Sequence, residues 1–314
     1  MLPTPTRTPL YNRQSPSPIP YHSLSCMTTQ SGTEAALSAI AARLDAIEND
    51  VRIIREMTES VRDQSLLMAE LLRRARRTSS YTAAYTQRPL VSVRLGYFRD
   101  HEALCKRAIP SILNQTYDNF EVLIVADGID SDAETRLAQF DDPRIRYFSR
   151  PQNGPYPSDS AASWLVAGSH AFNEAVAHAS GAWIAPIDQD DEWTTDHLRV
   201  LLSRALDSGA ELTYGIGRAH VEDVGDTTFG TWPPAQGDFG FQCAIYHAAL
   251  AFFSYAADSY LLQRPADWDM LQRMCVAGVR LDFVDRVVTN YYVPRTARSF
   301  RWWVERARAR PALN

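Results

Sequence analysis

What the 314-residue chain lacks narrows its class before anything it contains. No stretch approaches the roughly 18 consecutive apolar residues of a membrane-spanning helix, and the start has no basic-then-apolar secretion layout. Cysteine is scarce: Cys26, Cys105, Cys243 and Cys275 lie far apart, without a Cys-x-x-Cys pair or the His-Cys spacing of a zinc site. That scatter argues for a reduced, cytosolic setting with no disulfide framework. Lysine is nearly missing, so positive charge is carried by arginine, and the net charge of −5 speaks against a nucleic-acid partner. No Gly-x-Gly-x-x-Gly follows the first strand-like segment and no Walker lysine occurs, which disfavours dinucleotide enzymes and P-loop ATPases. The expected location is cytoplasmic, soluble or peripheral at the inner face of the membrane.

What is present centres on Trp183-Ile-Ala-Pro-Ile-Asp188-Gln-Asp190-Asp191-Glu192-Trp193, an apolar run that stops on a cluster of acids. A short hydrophobic segment ending this way reads as a buried strand that delivers carboxylates to the rim of an α/β sheet, where ligands bind. In extended backbone Asp188 and Asp190 point the same way, so two hard oxygen donors can share Mg²⁺ or Mn²⁺, whose shell substrate phosphates commonly complete. Taken alone, the cluster is more simply a solvated strand-to-helix turn with capping acids.

Residues 1–30 alternate Pro, Ser and Thr without a single acid and are expected to be disordered; Met27 is an alternative start. Residues 31–78 carry a heptad pattern through Leu37, Ile40, Leu44, Ile47, Val51 and Ile54, weakened at Thr58 and Ser65 and resumed at Met68 and Leu72. The spacing predicts a coiled-coil helix, opened by the capping-box pair Ser31 and Glu34 and flanked by Arg43/Glu48 and Asp50/Arg55 pairs that suit a parallel two-stranded homo-oligomer. An amphipathic helix lying on its own domain is the other reading. Residues 79–88 read as a linker.

Over residues 89–294 the pattern alternates: strands at Val91–Leu95, Phe120–Val125, Arg144–Phe148, Trp183–Asp188 and Glu211–Tyr214 are separated by helices at 102–113, 131–140, 161–179 and 195–208. This predicts an α/β fold, a mostly parallel sheet with helices on both faces. The tail, 295–314, sets Phe300, Trp302, Trp303 and Val304 among six arginines. Its helix can meet a membrane surface or pack back on the domain.

The assembled motifs resemble glycosyltransferase family 2, of the GT-A fold. The resemblance rests on Val91-Ser-Val followed by Phe98, on Ser111-Ile-Leu-Asn-Gln115-Thr-Tyr117, on Leu123-Ile-Val-Ala-Asp127-Gly128, on Asn173 to Gly181 leading into Asp188-Gln-Asp190-Asp191, and on Pro265-Ala-Asp267-Trp268-Asp269. It departs from the family at Gly96 to Arg99, at Ala126 in place of an Asp, at Phe172 in place of an Arg, and at Ala266 in place of a Glu. The resemblance implies an inverting, metal-dependent transferase with a nucleotide diphosphate sugar donor and a saccharide or lipid-linked acceptor. It implies Mn²⁺ or Mg²⁺ on Asp190 and Asp188, the donor nucleotide at Phe98, Asp127 and Asp188, and Asp267 as base; Arg99 joins the nucleotide site by its charge at the end of the first strand. His247 and Trp268 are candidate acceptor contacts, and Arg94 and Arg99 are candidates for phosphate or for surface salt bridges. Two other readings stand beside it: a nucleotidyltransferase, which requires a Gly-rich phosphate loop that the chain lacks, and a coiled-coil scaffold with a non-catalytic sugar-nucleotide domain.

Overall fold

The computed structural model describes residues 30–310, without the side chains of 30–34, 54 and 57–62. The expectations for residues 1–29 and for the Ser31/Glu34 capping box fall outside these. The chain divides into two compact units after Glu59. Within the first unit the helix α1, which spans Gln30–Ala75, bears Leu37, Ile40, Leu44, Ile47 and Val51 on one face, each between 49 and 60% exposed. The heptad positions thus form an exposed apolar stripe on a single helix.

In the second unit, from Ser60, the same seam is covered. Leu72 is 1% exposed and Met68 is half-buried, both in an apolar cluster with Tyr246, Phe253, Met270 and Met274. The residues read as a linker are docked rather than free: α2 (Ser79–Ala83) buries Tyr81, and Ala84 is buried after it. The reason is polar. Glu211 is completely buried and takes two bonds from Arg76 at 2.6 and 2.7 Å, one from the Tyr81 hydroxyl and one from the Arg280 N–H.

The strands are β1 (Val91–Tyr97), β2 (Phe120–Ala126), β3 (Ile145–Ser149), β4 (Trp183–Asp188), β5 (Glu192–Trp193), β6 (Leu212–Val221), β7 (Gly225–Phe229), β8 (Ala244–His247) and β9 (Leu281–Val293). They form one sheet in the order β3-β2-β1-β4-β8-β6-β9-β5, with β7 on β6. The first four are parallel, as expected. Beyond β4 the sheet is mixed: β8 runs antiparallel to both β4 and β6, β6 pairs parallel with β9, and β5 closes antiparallel on β9. The sheet is thus mostly parallel, as expected, with β1 to β4, β6 and β9 running one way and β5, β7 and β8 the other.

Helices cover both faces. On one, α3 (His101–Ala103), a π turn at Leu104–Ala108, α4 (Ile109–Leu113) and α8 (His197–Ser208) bury Leu104, Ile112, Leu198 and Leu201 against Val91, Val93 and Leu95. On the other, the predicted long helix is two, α6 (Ser160–Val166) and α7 (Ser169–Ala177), broken at Gly168 with φ +77°. A Cβ there would also fall 2.6 Å from the Phe172 ring, so both backbone and packing require glycine. The expected helix at 131–140 shortens to α5 (Ala133–Leu137) with a 3₁₀ turn, and α9 (Ala266–Ala277) precedes β9.

The tail forms α10 (Phe300–Ala309), whose Trp303 is buried against Phe229 and Tyr291. Arg306 donates to the Thr228 carbonyl and pairs with Asp238. Of the two readings of the tail, Trp303 and Arg306 follow the one in which it packs back on the domain. Among the described residues no helix is long and apolar enough to cross a membrane.

Candidate active site

Strand alternation delivers the acids. Trp183, Ala185 and Ile187 of β4 face the main core, which turns Ile184, Pro186 and Asp188 to the other face, and Asp188 sits beside Gly96 of β1 where both strands end. Asp190 follows in the turn, part-buried, and burial together with the charge of Asp188 pushes its carboxyl up to about 6. Asp191 points inward: it is wholly buried, neither carboxylate oxygen has a hydrogen-bond partner, and burial raises its carboxyl well above the usual range. Asp188 and Asp190 are left as the two accessible donors. Carboxylates crowded and partly dehydrated in this way suit a hard divalent cation, whose charge relieves both the crowding and the dehydration. Among the described residues no three His, Cys, Asp or Glu are grouped to hold a metal ion. The donor set fits Mg²⁺ or Mn²⁺ as a pair that needs further oxygens from a ligand.

Next to this pair, a cavity of about 350 Å³ opens at the ends of β1 and β2 and is lined by Phe98, Arg99, Asp127, Gly128, Asp130 and Asn153. Phe98 is exposed at its lip, with the Arg99 guanidinium 5.0 Å from its ring centroid. The structure also gives Gln189 a place that the sequence reading missed. Its amide oxygen accepts the Phe98 N–H at 2.6 Å and its amide nitrogen donates to the Phe98 carbonyl at 3.2 Å, so the middle residue of Asp188-Gln-Asp190 clamps the cavity lip to the acid turn.

Asp127 borders the same cavity but its carboxylate is already held. It accepts from Tyr156 and from the Gly154 N–H, faces Arg150 at 3.3 Å, and is 4% exposed. The more open acid is Asp130, which accepts from the Tyr97 hydroxyl, itself paired with His101. No local signal marked this group; the three residues meet only because the β1 end abuts the loop after β2.

Asp267 lies in the first turn of α9, one residue beyond the helix start, and is part-buried. Burial pushes its carboxyl up to about 6, the charge of Asp188 adds to the rise, and the Trp268 N–H bond at 2.6 Å and Arg94 act against it. Pro265, not Asp267, occupies the cap position of α9. Trp268 is part-buried against the second apolar cluster.

Two expectations are corrected. His247 is a core residue, 2% exposed and stacked on Tyr81 at 4.5 Å, with one ring nitrogen against the Tyr81 carbonyl and the other accepting the Ala249 N–H, so nothing remains for an acceptor. Arg94 is no surface salt bridge but lies 1% exposed beneath Asp188.

Comparison with known proteins agrees with this geometry. The solved structure of the mannosyltransferase PcManGT from Pyrobaculum calidifontis, in complex with GDP-Man and Mn²⁺, superposes over 78% of this chain and 69% of its own with a TM-score of 0.52 at 17% identity. The S. aureus TarS 1-349 structure in complex with UDP covers 65% of this chain and 60% of its own with a TM-score of 0.50 at 13% identity. These likenesses show a GT-A type fold. In sequence, the UDP-Glc:alpha-D-GlcNAc-diphosphoundecaprenol beta-1,3-glucosyltransferase WfgD of Escherichia coli is 31% identical over 108 residues, 34% of this chain and 38% of that protein. The succinoglycan biosynthesis protein ExoO of Rhizobium meliloti is 33% identical over 107 residues, 34% of this chain and 27% of that protein. The matches thus span well under half the length of these curated relatives. The model of glycosyl transferase family 2 matches residues 97–159 and 164–257, half of the chain and most of the strands that build the rim. With fold, rim and family model in agreement, the chain belongs to glycosyl transferase family 2.

Proposed function

We propose that the chain transfers a glycosyl unit from a nucleoside diphosphate sugar to a hydroxyl of a saccharide or lipid-linked acceptor, with inversion at the anomeric carbon. The observation that carries this reading is the pairing of two carboxylate positions. Asp188 ends β4 with Asp190 in the turn that follows, and Asp267 lies in the first turn of α9, close enough to feel the charge of Asp188. The ligands named for the structural neighbours, UDP in one and GDP-Man with Mn²⁺ in the other, support the donor class, and the diphosphoundecaprenol-linked sugar in the name of WfgD supports a lipid-linked acceptor.

In this reading Asp190 and Asp188 would hold Mn²⁺ or Mg²⁺, which would supply positive charge for the diphosphate of the donor. Phe98 stacks on the nucleoside and Arg99 meets the phosphates, while Gln189 keeps that lip in register with the acids. Asp267, ionised above about 6, takes the proton of the acceptor hydroxyl as its oxygen attacks in line. Trp268, beside it, is the candidate acceptor contact. The exposed stripe of α1 pairs with a second copy of the chain.

The test is release of nucleoside diphosphate from a panel of nucleotide sugars incubated with the full chain and Mn²⁺ or Mg²⁺. Release from at least one donor, abolished by chelation, is expected; no release from any donor with either cation sinks the proposal.

A further inference from the structure

We propose that Arg94 is a positioning residue of this reaction, a permanent buried cation that ties Asp188 at the end of β4 to Tyr255 on the segment leading to α9. The inference rests on the function proposed above. Arg94 lies mid-strand in β1, between Val93 and Leu95, and faces α7 rather than the main core. Its guanidinium sits 3.9 Å from the centroid of the Phe172 ring, donates to the Tyr255 hydroxyl at 2.5 Å, and reaches Asp188 Oδ1 at 3.4 Å. The platform is built for it: a Cβ at Gly96 would lie 2.3 Å from the Phe172 ring, so glycine there lets Phe172 close over the strand. Asn173, the next residue of α7, fixes Tyr255 from both sides, accepting its N–H and donating to its carbonyl at 2.9 Å each.

The pairing differs from that of a structural arginine. Arg76 saturates the buried Glu211 with two short bonds and adds the Gly278 carbonyl. Arg94 has one long contact with a carboxylate whose side chain is 42% exposed, and its Nε is buried without a partner. A guanidinium stays charged in proteins, and burying it with so little compensation is unfavourable for folding. Such a local violation is expected where function outweighs stability. At 1% exposure Arg94 touches no substrate, so it acts through Asp188 and, by its charge, on Asp267.

The experiment is a double-mutant cycle of Arg94→Met and Asp188→Asn in the full chain, read in two ways. Urea unfolding needs no substrate. Asp188→Asn is expected to cost more stability, or gain less, in the chain carrying Arg94, whose buried cation it strands, than in the Arg94→Met background; additive changes overturn the tie. In donor turnover, Arg94→Met is expected to lower kcat/KM roughly 10–100-fold, as loss of a ligand-orienting partner does, with little further loss in the Asp188→Asn background and with partial rescue by Arg94→Lys. If Met serves as well as Arg, or Lys is worse than Met, Arg94 is packing only and the proposal fails. Should Arg94→Met not fold, Tyr255→Phe removes the far end of the strut while keeping charge and volume. It is expected to lower kcat rather than raise the donor KM, and a wild-type kcat overturns the role. A chain that turns over no donor refutes the proposed function while the unfolding cycle still decides the Arg94–Asp188 tie.

Discussion

Replacing Asp190 by Asn removes the charge on which a divalent cation depends, so turnover and metal-dependent donor binding are expected to vanish together. Calorimetric titration of the nucleotide with and without Mn²⁺ checks this; a variant with normal metal-dependent binding removes Asp190 from the metal site. Asp267→Asn has a different signature. Donor affinity should stay nearly intact while kcat collapses, because a base contributes only in the transition state. The raised carboxyl, about 6 in the folded chain, adds two pH predictions. Wild-type kcat/KM should rise with pH to a plateau above about 6, where Asp267 is ionised. For stability the sign is opposite: below its unfolded value near 3.8 Asp267 is protonated in both states and costs nothing, and between 3.8 and about 6 the unfolded chain ionises first. Above about 6 the penalty is complete. Asp267→Asn should therefore stabilise the chain by of the order of 1–3 kcal/mol at pH 7 and by nothing near pH 3.5, measured by urea unfolding. The place of the acids was legible because an apolar run ending in carboxylates reads as a buried strand that reaches the rim of the sheet. Arg94 was not, since its cover, Phe172 of α7 and Tyr255, lies far away in sequence. His247 failed for the same reason, its cover being Tyr81 from a segment read as a linker.

At the scale of elements, local pattern identified strands β1 to β4 and helix α8 because each completes its periodicity within its own span. The pieces it missed depend on contacts far away in sequence. β8 carries too short an apolar run to announce a strand, and the 161–179 helix breaks where Phe172 needs the space at Gly168. The segment after α1 docks because of one buried charge. Glu211 keeps its carboxyl below the usual range despite burial, through the Arg76 side chain, the Arg280 N–H and the Tyr81 hydroxyl. Arg76→Ala leaves that carboxylate with two of its donors and without its bidentate cation. The expected loss is about 1–3 kcal/mol, discounted from a fully buried pair because Arg76 is partly solvated. Glu211→Gln added to Arg76→Ala should recover part of it. Urea unfolding of the three variants checks the claim, and an Arg76→Ala chain as stable as the wild type refutes it.

For the whole molecule, the proposed homo-oligomer is decided by the first unit. Its apolar stripe, Leu37 to Val51, is continuous at alternating three- and four-residue steps and stands exposed. The charges around it are divided in a telling way. Arg52, away from the stripe, bonds Glu56 and Asn49 within the helix, both on its own solvent side. Arg43, Glu48, Asp50 and Arg55, which border the stripe, have no ion-pair partner among the described residues. In a parallel pair Arg43 meets Glu48 of the second copy and Asp50 meets Arg55, so the free charges are self-complementary. The full chain is expected to be a dimer in light scattering, and Leu44→Glu with Ile47→Glu to make it a monomer that keeps its donor turnover. Truncation must respect the division after Glu59: removing residues 1–59 should likewise give an active monomer, whereas removal to residue 80 also takes Leu72 and Arg76 and should unfold the remainder. A doubly substituted chain of unchanged mass in light scattering refutes the stripe as the assembly surface.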